Sequence, residues 1–152
     1  MPLLPNRYKT IGIFLLPISL IAAYFYYFGG KPGIFNLPVF AIVSSYLETR
    51  TMVMAQTNIL DEVAVILFII SLIFIGFSSQ KNENDVIIRI RMKSLIYSAY
   101  ISSIIWIISI VLIFGWAIFI SSSFVFILFL ILNILIFNYL KFINNKIPDH
   151  EN

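Results

Sequence analysis

No cysteine occurs among the 152 residues. That absence removes disulfides, thiolate metal sites and thiol nucleophiles together, leaving hydroxyls, carboxylates, amides and bases as the groups available for chemistry. Histidine is nearly absent too: His150 stands alone in a polar tail and reads as a solvated side chain. Charge is scarce. Only 11% of residues are charged and 61% are hydrophobic, against about 25% and 45–50% in an average soluble domain, so a soluble core could not hide the apolar surface. The ten bases give a net charge of +3, but they are scattered over separate loops and form no continuous basic face of the kind nucleic acid needs. They read instead as topogenic charges, and no direct nucleic-acid partner is expected. Paired carboxylates at motif spacing, a Ser-His pair and an HExxH-like cluster are all missing, so neither an enzyme, a metal nor a cofactor is expected.

What the chain does have is length without charge. Ser94 to Leu140 is a run of 47 residues with no charged side chain, which as helix would reach roughly 70 Å, over twice a hydrocarbon core of about 30 Å. It must cross a bilayer twice. The turn is expected at Gly115 and Trp116, where the run's only glycine meets an aromatic suited to the membrane interface.

The whole chain then reads as a single all-α transmembrane domain with four helices. The first span covers residues 10–28, behind Arg7 and Lys9. It is longer than a signal-peptide h-region and ends in aromatics, Tyr24 to Phe28, without an Ala-x-Ala site. Pro17 lies in its middle. Gly29, Gly30, Pro32 and Gly33 break the helix, and residues 34–47 follow, interrupted by Pro38. Those 14 residues would reach only about 21 Å as helix, so they are expected to be a short interfacial or re-entrant segment between helices one and two. The second span covers 59–78, opened by Asn58 with Asp61 in capping-box spacing. Asp61 and Glu62 are candidate interfacial acids: they offer a site for a proton or cation, or simply complement the helix N-terminus.

Residues 79–93 form the expected cytoplasmic turn, entering a helix without Gly or Pro between Gly76 and Gly115. Its charged residues Lys81, Glu83, Asp85, Arg89, Arg91 and Lys93 are the candidate partner-binding surface, with Asp85, Arg89 and Lys93 at helical i, i+4, i+8 spacing. Against helix, Ile88 to Lys93 alternates with period two, as a strand would; the flanking spans favour helix. In span three, residues 94–114, Ser94, Ser98 and Ser102 recur every four residues, a small-residue seam that lets another helix approach closely. Span four, residues 117–140, carries Asn133, whose amide should face a helix rather than lipid. These four are the candidate helix-packing residues. Under this layout eight bases lie on one side, with Lys31 and Arg50 on the other. That asymmetry puts both termini in the cytoplasm.

Leu3-Leu4-Pro5-Asn6-Arg7-Tyr8-Lys9 before the first span, Asp61-Glu62, Phe77-Ser78, Lys81 to Asp85, and Ile90-Arg91 with Ser94-Leu95 together resemble a group of small bacterial four-helix integral membrane proteins, a domain of unknown function. Members are more acidic around the turn, so Gln80, Asn82, Asn84 and Lys93 depart from that pattern. Looser relatives with an acid-rich turn lie beside small helix-turn-helix regulators, so the resemblance implies a regulatory partner.

The first functional expectation is a binding, accessory or regulatory membrane subunit that acts through its cytoplasmic turn, in contact with the bilayer and with a membrane or cytoplasmic protein or a second copy of itself. The alternative is a small transporter or channel component, since Pro17, Pro38, Asp61 and Asn133 are raw materials of broken helices and polar pathways. It would lack both a buried charge and an internal repeat. An immunity protein against a membrane-active toxin is a third expectation.

Overall fold

The computed structural model describes residues 3–44, 50–80, 84–113 and 117–146. Helix α1 spans Asn6–Tyr27, α2 Leu60–Phe77, α3 Asp85–Leu112 and α4 Ala117–Lys146. All four are long and apolar enough to cross a membrane. The residues that carry the expected turn at Gly115 and Trp116 lie outside the described ones, as do Lys81, Glu83 and His150.

Between α1 and α2 the structure corrects the all-α reading. Of the residues expected to form an interfacial or re-entrant segment, 34–47, those from Asn36 to Ser44 instead form one strand of a β-hairpin after a single 3-10 turn at Gly33–Phe35, and 45–47 lie outside the described residues. Strand β1, Asn36–Ser44, pairs antiparallel with β2, Arg50–Asn58, in a register that sets Asn36 opposite Asn58 and Phe40 opposite Met54. The reason is local. β1 carries Val39, Phe40, Ile42 and Val43, β-branched or aromatic residues that favour strand, while Pro38 is excluded from a central strand but tolerated in a two-stranded sheet, where each strand has a free edge.

The chain divides into two compact units, Ile13–Ser71 and Met1–Gly12 with Leu72–Asn152. In the first, the Asn58 side chain closes the base of the hairpin. Its amide donates to Pro32 O at 3.0 Å and to Asn36 Oδ1 at 2.9 Å. Its oxygen accepts from the Leu60 N–H at 3.2 Å, so the same residue starts α2.

In the second unit α3 and α4 pack as an antiparallel pair. Trp106 Nε1 donates to Ser122 Oγ at 3.2 Å, the Ser94 hydroxyl lies 3.0 Å from Asn133 Oδ1, and the Arg91 guanidinium lies over the Phe137 ring. These three contacts hold one register along both helices. Ser94, Ser98 and Ser102 are all buried on this face. Ser98 Oγ donates to Leu95 O within its own helix, and Ser102 Oγ is buried without a hydrogen-bond partner. Neither hydroxyl bridges the helices, so their contribution to the interface is small volume rather than polarity. Gly76 provides a further close approach: a Cβ there would lie 3.4 Å from Ile134 and 3.6 Å from the Asn133 amide.

Ser98→Ala is therefore expected to change stability by less than about 1 kcal/mol, whereas Ser98→Leu forces the helices apart and costs about 1–3 kcal/mol. Thermal melting in mild detergent checks both; equal melting of the Leu variant and wild type would show that volume at this seam is unimportant.

Candidate functional site

The last carbonyls of any helix have no partner within it, and in a low-dielectric setting each open one is costly. At the end of α2 the carbonyls of Phe74, Gly76, Phe77 and Ser78 each accept a bond from a group other than the helix's own amides. The Ser78 hydroxyl turns back onto Phe74 O. Arg91 Nη1 donates to Gly76 O at 2.8 Å and Nη2 to Ser78 O at 3.1 Å. The Leu4 N–H takes Phe77 O at 3.1 Å, and Leu4 O in turn accepts from Ser79 N at 2.7 Å. Tyr8 packs edge-on against Phe74 beside this knot, their ring centres 5.1 Å apart.

Arg91 is the centre of the arrangement. It is only 3% exposed, and its guanidinium carbon lies 4.8 Å from the centre of the Phe137 ring. A buried cation is stabilised here by two carbonyls at the negative end of a helix and by the face of an aromatic ring. The sequence reading placed Arg91 on the partner-binding surface, and the structure corrects that. Arg89 and Lys93, four apart, share an exposed face, while Arg91 between them points about 160–200° away. It stands on the same side of α3 as the serines: Arg91, Ser94, Ser98 and Ser102 are its buried polar residues. The signal was present, since Arg91 precedes Ser94 by three and Ser98 by seven, which is helical spacing for one face.

A small cavity of about 60 Å³ lies against Arg91, with Lys9, Ser78, Gln80, Phe137 and Asn138 in its wall. Lys141 Nζ donates to Gln80 Oε1 at 2.6 Å, and the Asn138 amide donates to Ile134 O at 2.9 Å. Deeper along the same helices Asn133, 2% exposed, stands next to Ser94. The Ser94 hydroxyl also lies 2.8 Å from Arg91 O; with one proton to give, it serves these two acceptors by sharing or in turn. Asp85 is exposed in the first turn of α3, which Asn84 caps by accepting from Ile87 N at 3.0 Å.

The interfacial acids lie in the other unit. Glu62 is exposed. Asp61 is half-buried, interacts with the Tyr26 hydroxyl and with Glu62, and lines a groove of about 170 Å³ with Ser19, Ala23, Tyr27, Ala64 and Phe68. Its Oδ1 is buried without a hydrogen-bond partner. Among the described residues, no group of three or more His, Cys, Asp or Glu comes together in a way that would hold a metal ion.

Comparison with known protein families, with curated proteins and with solved structures finds no match to this chain.

Replacing Arg91 by Leu opens the Gly76 and Ser78 carbonyls and should lower stability by about 2–5 kcal/mol. Arg91→Lys keeps the charge but not the two-pronged geometry, and should fall between Leu and wild type. Melting of the purified variants in detergent checks the order; a Leu variant as stable as Lys would show that capping is not what Arg91 contributes.

Proposed function

We propose that the protein is a multi-pass inner-membrane protein, with both termini cytoplasmic, that serves as a non-catalytic binding, accessory or regulatory subunit through the exposed face at the start of α3. The observation that carries this reading is the division of labour among three bases. Arg91 is committed to closing α2, whereas Arg89 and Lys93 are exposed and continue one face with Asp85. A helix that contributes one base to its own fold and turns two outward offers an acidic protein surface a pair of cations on one helix face. The excess of bases at this end of the helices is what supports its cytoplasmic placement.

The test is crosslinking mass spectrometry of the full chain purified gently from its native membrane. A stoichiometric partner crosslinked near Arg89 and Lys93 is the expected result. Arg89→Glu with Lys93→Glu should abolish that crosslink by reversing the charge, and should leave thermal stability within about 0.5 kcal/mol, as exposed substitutions do. A partner retained by the doubly reversed variant would overturn the reading.

One observation favours a second reading, a transporter component: the unbonded Asp61 oxygen beside a groove. Under the main reading, Asp61→Asn leaves folding and insertion intact, and reconstituted vesicles show no proton- or cation-driven flux for it to remove. A wild-type flux that Asp61→Asn eliminates, with the fold preserved, would establish transport instead.

A further inference from the structure

We propose that the cavity beside Arg91 binds the phosphate of an anionic lipid headgroup. The site is separate from the exposed Arg89 and Lys93 face, and the inference stands whether or not a protein partner docks there.

Depth is the first argument. Helix α3 has 28 residues and α4 has 30, lengths of about 42 and 45 Å. Each therefore exceeds a hydrocarbon core of about 30 Å by roughly eight to ten residues. The uncharged run from Ser94 to Leu140 assigns that excess to the start of α3 and the end of α4. Arg91 and Asn138 then fall at the boundary where lipid phosphates lie. Lys9, in the first turn of α1, and Ser78, just past α2, stand in the same cavity wall.

Chemistry is the second. The wall carries two cations, Lys9 and Arg91, with the Gln80 and Asn138 side chains, while the Ser78 hydroxyl in it gives its proton to Phe74 O; among the described residues the wall includes no carboxylate. Lys141 adds a third positive charge behind Gln80, held by the 2.6 Å bond to its oxygen. The Arg91 side chain is already fixed by Gly76 O, Ser78 O and the Phe137 ring, so it needs no reordering when an anion arrives. A cavity of about 60 Å³ has room for a group a few water molecules in size, which suits a phosphate. Basic pockets between spans are a recurrent way to hold anionic headgroups.

The experiment is native mass spectrometry and thermal melting of the full chain in neutral detergent, with phosphatidylglycerol, phosphatidylcholine or inorganic phosphate added at equal concentration. Retention of one phosphatidylglycerol, with a higher melting temperature than either other addition gives, is the expected result. Lys9→Gln, which removes no helix cap, should weaken that retention about fivefold, Lys9→Arg should restore it, and Lys93→Gln on the exposed face should leave it unchanged. Equal retention of phosphatidylcholine, or equal loss in Lys93→Gln, would overturn the proposal by showing detergent-like or diffuse surface binding. Equal stabilisation by inorganic phosphate would overturn the lipid in favour of a soluble phosphate.

Discussion

The structure depends on what happens to backbone carbonyls where α2 stops. A helix satisfies its own backbone along its length, but its last turn cannot. The solution draws on three separate parts of the sequence: Leu4 from before α1, the Ser78 hydroxyl and the Arg91 guanidinium from the second turn of α3. Once Arg91 is held there, the face of α3 that carries it is fixed toward the interior. The serines that follow at helical spacing must then meet α4, where Asn133 stands beside Ser94. One buried cation thus orients a whole helix.

This explains why much of the fold was legible and Arg91 was not. Four helices long and apolar enough to span could be read from length and composition, because a bilayer imposes a minimum that composition either meets or fails. The extension of α3 back to Asp85 followed from the missing Gly and Pro. The alternation of Arg89, Arg91 and Lys93 looked like one charged turn, since charge in sequence is counted without reference to the angle at which each side chain leaves the helix. The serine seam, read from spacing, lies on the face the structure buries, yet nothing in the sequence said which hydroxyls would bridge helices and which would only be small.

The hairpin was hidden for a different reason. As helix, residues 34–47 are too short to span, but helix is only one way to satisfy a backbone. A strand satisfies its backbone with a partner, and the partner β2 lies in a polar stretch that reads as loop. Leu37 pairs with Thr57 and Val39 with Ala55 along the ladder, but alternation in one strand is uninformative until its mate is known. Asn58 was recognised as the start of α2; its amide also ties Pro32 and Asn36, a role that depends on contacts more than twenty positions away.

The reach of Arg91 has a consequence for biosynthesis. Gly76 O waits fifteen residues for the guanidinium that covers it. A chain growing from its N-terminus therefore completes α2 before it possesses the guanidinium that covers the Gly76 and Ser78 carbonyls. In that sense α2 is finished only once the second turn of α3 has been made, and the length of the connection between them sets how long the unfinished state lasts.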